Sequence, residues 1–380
     1  MKYGGIIRIG FKLLVNDKGK FSALLIGITF AVFLMVEMTS LFSGILNKAF
    51  STVTNIGAEM WVMDPGVNTA TSPIALPDYL LDAVRSMDGV NYAVPIFIGG
   101  AQVKLNDGTY QSVNVIGLDD TSLFGRPELE QGSIQDIYAD NAFFVVDDAE
   151  YSKMENPKIG TTFELNDFHG EIRGIAKVAS NGLNGTPTLY TTYYRAIQYI
   201  PTTRFTISYV LLQPKNPAAV ASIKQAVAKL GYVALTKDEF NHSITNYYTY
   251  QTGIGTNILM MTVISFIVGL SISGQTFYTF ILENIERFGA LKAIGAKSRE
   301  LVVMILFMAG FTAVIGYGLG IGLVTLMIAV ARYRLPNYAA MITFGNLGLA
   351  LVMVIIIAGI SSYIGIRKVL RIEPFDIFRG

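Results

Sequence analysis

The sequence of 380 residues predicts a membrane α-helical protein, with four transmembrane helices and a large α+β extracytoplasmic domain. Only 15% of the residues are charged, whereas a soluble domain carries about 25%, and the mean hydropathy is +0.45. Four long apolar runs are almost free of charge, and the charged residues lie between and beside them. A segment of mixed polarity separates the first run from the second and supplies the domain outside the membrane.

Each apolar run is long enough to cross a bilayer as a helix. Crossing about 30 Å of hydrocarbon takes about 20 apolar residues, because each helical residue rises about 1.5 Å. A buried core helix explains one such run in a soluble protein, but it does not explain four of them. We therefore expect four transmembrane helices, with a tight hairpin from Arg332 to Pro336 between the last two. The runs comprise residues 21–47, 253–282, 301–331 and 335–366.

The distribution of charge predicts the orientation of these helices. The middle of the chain, from Lys48 to Thr252, carries 14 basic and 21 acidic residues. The short flanks carry the opposite excess, with 13 basic and 6 acidic residues. Because Lys and Arg are retained on the cytoplasmic side, we expect a multi-pass protein of the plasma (inner) membrane with both termini in the cytoplasm. The cytoplasmic parts are the segment 1–20, the loop 283–300 and the tail 367–380, and the extracytoplasmic domain comprises residues 48–252.

The composition excludes several kinds of site. The chain has no cysteine and two histidines, His169 and His242, so thiolate chemistry and a multi-histidine metal site are not expected. No strongly basic face is available in the middle of the chain for nucleic acid. We therefore expect no catalytic residue, no metal site and no nucleic-acid partner. An alternative for the first run is a cleaved signal peptide, but the run exceeds the roughly 7–15 apolar residues of such a segment.

Small residues predict how the apolar helices pack. Spacings of four positions place small side chains on one helix face, which lets two helix backbones approach closely in lipid. We therefore interpret these residues as packing sites. They are Ser265, Gly269 and Ser273 in the second run, and Gly316 with Gly320 and Gly318 with Gly322 in the third.

The extracytoplasmic domain is predicted to contain two β-α-β halves around an insertion. The first half, at about 55–117, alternates a short strand, a helix and a longer strand, and the second, at about 205–245, repeats this order. Two such halves far apart in sequence indicate one subdomain whose strands pair across the intervening chain. The tripeptide Asn106–Gly108 joins two alternating runs as a hairpin. Residues 118–204, rich in Gly, Asp and Thr, are predicted as an inserted, mainly β subdomain.

The loop between the second and third runs contains a near-match to a nucleotide-binding motif. Between Gly289 and Ser298 the order is wrong for a P-loop, since Ala296 separates Gly295 from Lys297 and no strand precedes the segment. The alternative is a short amphipathic helix, which can lie on the membrane surface or dock into a groove of a partner. Its apolar face comprises Ile285, Phe288, Leu291 and Ile294.

The order of elements and several local sequences resemble the permeases of the MacB and FtsX type in ABC transporters. The shared features are one span, a large outer domain, and three further spans with a loop reading E-R-F-G-A-L-K-A-I-G-A. The segment from Ala58 to Gly66 is similar to the start of that family's outer domain, and Arg367–Arg379 is similar to its basic tail. With no fused ATPase expected, the chain looks like the stand-alone permeases of the DevC and HrtB kind.

The resemblance implies a division of labour between subunits. Two copies of a separate ABC ATPase subunit would bind ATP and Mg and drive a homodimer of this chain, so no cofactor is expected in the chain itself. A periplasmic adaptor protein remains open, and membrane lipids are expected contacts. The loop after the second span would be the coupling element. The family's contacts correspond here to Glu286, Arg287, Gly289, Lys292, Ala293, Gly295 and Ala296.

The single charge within an apolar run, Glu37, is a candidate for a substrate site. A carboxylate in hydrocarbon costs about 2.5–3.5 kcal/mol on insertion scales, so an intramembrane Glu is a functional candidate by default. Glu37 adjoins Met38 and lies at a depth similar to that of Met260 and Met261 in the second run. If these runs meet at a dimer interface, the four side chains would bind haem or the polar end of a lipid-like molecule. The alternative is a protonated Glu37 that bonds a Ser or Thr of a neighbouring helix or reaches the headgroups.

Three functions compete at this point. The leading one is a permease that exports an amphipathic or hydrophobic substrate, haem or lipid-like, driven by a separate ATPase through the coupling helix. The second is a mechanotransmitting membrane scaffold that regulates an extracytoplasmic enzyme, and the third is a membrane-anchored binding protein that needs no ATPase. A charged residue within a span favours transport over the scaffold, and the coupling-like loop disfavours the simple anchor.

Overall fold

The computed structural model describes residues 3–178, 182–183, 185–200 and 205–371, so most of the predicted cytoplasmic tail lies outside the described residues. The chain divides into two units. A helical bundle comprises Met1–Gly44 and Ile254–Gly380, and a sheet domain comprises Ile45–Gly253.

Helices occur in both units, and the strands belong to the sheet domain. The helices are α1 (Tyr3–Asn16), α2 (Lys18–Ala49), α3 (Ser51–Ile56), α4 (Tyr79–Arg85), α5 (Tyr193–Tyr199), α6 (Ala219–Lys229), α7 (Lys237–Asn246), α8 (Ile254–Glu283), α9 (Ile285–Ala293), α10 (Ser298–Arg334) and α11 (Phe344–Leu370). The strands are β1 (Met60–Met63), β2 (Val90–Lys104), β3 (Tyr110–Leu118), β4 (Glu128–Gln131), β5 (Ala142–Val146), β6 (Thr162–Leu165), β7 (Phe168–Lys177), β8 (Thr188–Thr192), β9 (Tyr209–Pro214) and β10 (Val233–Thr236).

Within the described residues, four helices are long and apolar enough to cross a membrane, namely α2, α8, α10 and α11. The predicted start of the fourth span at residue 335 is corrected, because helix α11 begins only at Phe344. The intervening segment, which we call the hairpin segment (Leu335–Thr343), turns back onto α2. There the Met341 N–H donates to the Ser40 carbonyl at 2.8 Å. The tight turn expected from Arg332 to Pro336 is therefore longer than the sequence predicts.

Glycines allow α2 to pack closely between α8 and α10. A Cβ added at Gly269 would lie 2.3 Å from the Ala31 side chain, and one at Gly316 would lie 2.7 Å from Ile28. At Gly320 the corresponding distance to Val32 is 2.6 Å. These values are below any real Cβ contact, so the close approach requires glycine at each position. A Cβ at either Gly318 or Gly322 meets nothing within 4 Å, so the second predicted pair makes no such contact among the described residues.

The strands of the two β-α-β halves pair across the intervening chain. Strand β1 lies between β9 and β10 and is antiparallel to both, and β9 in turn pairs with β2. Among the described residues the full order is β10-β1-β9-β2-β3-β8-β5-β7-β4, with β6 joined to β2 and β7. Trp61, Tyr209 and Phe240 pack in the core of the first half of this sheet. The second half of the long strand β2 forms the β2–β3 hairpin and pairs with β6 of the insertion, and the hairpin turn places Gly108 at φ +85°.

Candidate functional site

Helix α9 is the short helix between α8 and α10, at the end of the bundle that carries the basic residues. Before it, the Asn284 amide donates to the Phe280 carbonyl at 2.8 Å, and the Asn284 side-chain oxygen accepts from Arg287 at 2.8 Å. After it, Gly295 adopts φ +103°, a conformation that favours glycine at the end of a helix. These contacts define α9 as a separate short helix, as the amphipathic pattern predicts.

Phe288 anchors α9 in the bundle. Its side chain is 1% exposed and lies in an apolar cluster contributed by every neighbouring helix of the bundle. Burying a Phe side chain of this kind stabilises the fold by about 1.5–3 kcal/mol. Phe288 therefore packs α9 against the ends of several helices together. The cluster includes Ile6 and Leu14 of α1, Phe280 of α8, Met304 of α10 and Val369 of α11.

A charged contact joins α2 to the same region. The Lys20 ammonium pairs with the Glu283 carboxylate, at the end of α8, and lies 3.4 Å from the Asp17 carboxylate. Because Glu283 directly precedes Asn284, this contact connects the start of α2 to the residue from which α9 begins. The first membrane helix and the α9 region are thus linked by a polar contact as well as by the apolar cluster.

The predicted coupling residues divide into an exposed group and a buried group. Glu286, Arg287, Ala293 and Gly295 are exposed. Lys292 is half-buried and donates to the Leu370 carbonyl at 3.3 Å. Gly289 and Ala296 are buried, so they support the shape of the loop and present no surface to a partner in this conformation.

Ile294 is the residue that the sequence pattern places on the wrong face. The pattern predicts that it lines the apolar face with Phe288, but its side chain is 73% exposed. The Ile294 N–H still donates to the Ala290 carbonyl at 3.0 Å, but repeated steps of three residues drift around a helix, so Ile294 lies about 120° away from Phe288. An exposed Ile beside Ala293 and Gly295 makes a small apolar patch, which we call the α9 tip (Ala293–Gly295).

Glu37 lies in a second candidate site, where α2 meets the hairpin segment. Its side chain is 9% exposed, and the Tyr338 hydroxyl donates to its Oε1 at 2.9 Å. Burial, together with the Glu37 carboxylate, raises the pKa of Tyr338 to about 12, so the hydroxyl keeps its proton. Gly44 permits the contact, because a Cβ there would lie 1.7 Å from the Ala339 carbonyl oxygen. The partner of Glu37 is therefore a tyrosine of the hairpin segment.

The structure does not bring the four predicted substrate residues together within the described part of one chain. Met260 and Met261 are 58% and 54% exposed on α8, and Met38 is half-buried. Glu37 instead faces Tyr338. The alternative to a substrate role is a hydrogen bond to a Ser or Thr of a neighbouring helix, and the observed partner is Tyr338 of the hairpin segment instead. An uncharged residue within a long apolar run carries no signal from which this partner could be identified.

The described part of the chain contains no candidate metal-binding site. No group of three or more His, Cys, Asp or Glu side chains lies close enough together there to hold a metal ion.

Four helices of membrane-spanning length, a large inserted sheet domain, and a short helix anchored between the second and third spans define a polytopic membrane protein. The family model for the FtsX-like permease C-terminal region matches residues 258–374. The model for the MacB-like periplasmic core domain matches residues 22–230, which is more than half of the chain. The chain belongs to this family of MacB- and FtsX-like ABC transporter permeases.

Curated relatives include permeases that match over their whole length. ABC transporter permease MJ1507 of Methanocaldococcus jannaschii, an uncharacterized protein, is 20% identical over 100% of this chain and 99% of its own. The uncharacterized permease Rv0072 of Mycobacterium tuberculosis is 23% identical over 90% of each chain. HrtB of Staphylococcus haemolyticus, named for a hemin transport system, is 24% identical over 40% of this chain. This last match spans 41% of HrtB.

Solved structures similar to the chain include two domains from related transporters. The extracellular domain of YknZ from Gram-positive bacteria gives a TM-score of 0.36 at 13% identity and covers 47% of this chain and 99% of its own. The periplasmic region of MacB from Actinobacillus actinomycetemcomitans gives a TM-score of 0.37 at 13% identity and covers 50% of this chain and 95% of its own.

Proposed function

We propose that the chain is the permease subunit of an ABC exporter for an amphipathic or hydrophobic substrate, haem or lipid-like. It works as a homodimer in the plasma membrane with both termini in the cytoplasm. Two copies of a separate ATPase, which bind ATP and Mg, drive it through α9. Membership of an ABC permease family supports the ATPase partner.

The observation that carries this proposal is the combination of an anchored helix with an exposed apolar tip. Phe288 holds α9 in a cluster that joins α1, α8, α10 and α11. Ile294 and the charged residues Glu286 and Arg287 are exposed on the same short helix and its end. An anchored helix of this kind can enter a groove of a partner and pass a displacement to the membrane helices.

The test is the substitution Ile294→Asp in the chain expressed with its ATPase. Because burial of an Ile at an interface is worth about 1.5–3 kcal/mol, we expect at least a tenfold loss of ATPase association. Membrane insertion stays intact, since Ile294 lies outside the apolar cluster. Co-purification and substrate-stimulated ATP hydrolysis measure the effect.

A matched control separates loss of contact from loss of solubility. Leu230 is 40% exposed in the sheet domain, so Leu230→Asp places the same charge on an exposed apolar position far along the chain from α9. This variant is expected to bind the ATPase as the native chain does. Native association by Ile294→Asp would show that the ATPase contacts another surface.

The substitution Glu37→Gln tests whether the Glu37 side chain contacts the substrate. Glu37→Gln keeps an acceptor for the Tyr338 hydroxyl and removes the negative charge. If Glu37 serves the helix contact alone, export and assembly remain near the native level. If its charge contacts substrate, the complex assembles normally while substrate-stimulated ATP hydrolysis falls. With haem as the substrate, the absorption spectrum on haem titration also changes, and native curves in both measurements would remove Glu37 from the site.

A further inference from the structure

An open apolar groove runs between α2 and α10 on the surface of the bundle. Its volume is about 850 Å³, within the ~300–1,000 Å³ typical of ligand sites. Leu25 and Phe30 line it from α2, and Leu323, Leu326 and Val330 line it from α10. Among the described residues that line it, Thr29 supplies the polar character. The lining therefore fits a hydrocarbon chain.

Two arginines follow the groove at one end. Val330 and Ala331 line its end, and Arg332 and Arg334 come next on the same helix. Arg334 is exposed and lies about one helical turn beyond Val330 on the groove face of α10, whereas Arg332 lies on the opposite face and donates to the Ala340 carbonyl. Both arginines lie at the end of α10 opposite to the basic flanks, and the sequence from Arg332 to Thr343 contains no acidic residue. The groove thus combines an apolar channel with a positive charge at its mouth.

Either a second copy of the chain or a phospholipid could occupy this groove in a membrane, and the charges near it favour the phospholipid. A second copy's bundle provides no free carboxylate at this end in the part of the chain that the structure describes. Glu37 already accepts from Tyr338, and Asp17, Glu283 and Glu286 lie at the opposite, α9 end of the helices. A phospholipid provides both an acyl chain for the groove and a phosphate, which arginine binds well.

We propose that the α2–α10 groove binds an acyl chain of an anionic phospholipid whose phosphate is held by Arg334. This site is separate from Glu37 and goes beyond the proposed function, because lipid binding here requires neither an ATPase nor export. The bound lipid would occupy the seam between two helices that pack through Gly316 and Gly320, and would leave that close packing unchanged.

The experiment uses tryptophan fluorescence in the full chain. The native chain has one tryptophan, Trp61, which is buried in the sheet domain and gives a constant background. Leu326→Trp places a reporter at the groove, where the native side chain is 62% exposed. Ile264→Trp places a control on α8, where the native side chain is 50% exposed. Each variant is reconstituted in vesicles that contain dibrominated phosphatidylglycerol or dibrominated phosphatidylcholine.

At the groove reporter, we expect phosphatidylglycerol to bind about fivefold better than phosphatidylcholine, since each basic residue near a lipid surface contributes a factor of about five. At the α8 control, the two lipids are expected to quench equally. Adding R334Q to the groove variant should return the ratio to about one, whereas R332Q, on the opposite face of α10, should leave it near five.

Three results would overturn the proposal. Equal quenching by both lipids at the groove would remove the preference for an anionic headgroup. A preference that survives R334Q would place its source elsewhere. Protection of the groove reporter from both lipids, with normal quenching at the control, would show that a second copy of the chain covers the groove.

Discussion

Asp148 lines a small, partly open cavity of the sheet domain. The cavity has a volume of about 30 Å³, enough for one or two water molecules, and Asn114, Thr188 and Tyr190 also line it. Burial raises the pKa of Asp148, and the Glu150 N–H, which donates to its Oδ1 at 2.8 Å, opposes that shift. The folded chain therefore binds this proton more tightly than the unfolded chain does.

This shift predicts that Asp148→Asn stabilises the sheet domain at neutral pH. With a raised pKa in the folded state, the carboxyl contributes stability below its unfolded pKa of about 3.9 and loses it as pH rises through the folded pKa. Asn keeps the acceptor for Glu150 and removes the charge. We expect a higher unfolding temperature at pH 7.5 and a weaker dependence on pH above 4, measured by Trp61 fluorescence.

The comparison for this variant is Asp107→Asn. Hydrogen bonds from Thr109 lower the pKa of Asp107, so its charged form is favoured in the folded chain. Neutralising it should therefore leave the unfolding temperature at pH 7.5 unchanged or lower it slightly. A lower unfolding temperature for Asp148→Asn would show that the cavity requires the ionised carboxylate.

The sequence alone identifies Glu37 as a candidate site residue but does not identify its hydrogen-bond partner. A charge inside an apolar run is visible without a structure, because burial of a carboxylate in hydrocarbon is costly. Its partner is not visible, since Tyr338 is uncharged and lies about 300 positions away in the chain. The apolar pattern also misses the exposure of Ile294, because repeated steps of three residues drift around the helix.

At the scale of elements, the apolar runs predicted the membrane helices but missed α1 and the hairpin segment. Helix α1 buries Ile6, Leu13 and Leu14 at helical spacing, but three glycines in its 14 residues weaken a helix prediction. The hairpin segment is apolar because it packs on α2 in a non-helical conformation. Composition does not distinguish an apolar membrane helix from an apolar segment that packs in a non-helical conformation. Hydrogen bonds do, such as the one from the Met341 N–H to the Ser40 carbonyl.

The two glycine pairs of α10 provide a prediction with an internal control. Gly316→Leu would force a side chain into Ile28, and overpacking of this kind typically costs about 1–3 kcal/mol. Gly318→Leu on the same helix meets open space in the described chain. We expect a lower unfolding temperature in detergent for the first variant and a native value for the second.

Two outcomes would contradict the role of Gly316 in packing against α2. Equal loss of stability in both variants would mean that helix propensity or insertion, and not contact with α2, determines the role of these glycines. Equal tolerance would mean that α2 and α10 separate readily at this level.

At the scale of the whole molecule, the sequence predicted two units and the interleaving of the sheet. The repeated strand–helix–strand order was sufficient, because strands of two such halves complete one sheet when they pair across the insertion. The register was not predictable, since it depends on which side chains meet. Trp61 opposite Leu211 and Leu235 is an example of a pairing that only the structure shows.

The final prediction concerns orientation in the membrane, for which the absence of cysteine makes the chain well suited. Single cysteines can be introduced at exposed positions without removing any native thiol. Asn16→Cys and Ser298→Cys lie at the basic end of the bundle, and Ser222→Cys lies in the sheet domain. Because basic flanks stay in the cytoplasm, a membrane-impermeant maleimide should label only Ser222→Cys in intact cells.

Permeabilised cells provide the control for this labelling, since all three cysteines should then react. Asn16→Cys and Ser298→Cys should be protected in intact cells, because five basic residues precede the first span and four lie between the second and third. Labelling of Asn16→Cys or Ser298→Cys from outside would reverse the orientation. It would also place α9 on the wrong side for an ATPase, so the coupling role of the α9 tip depends on this result.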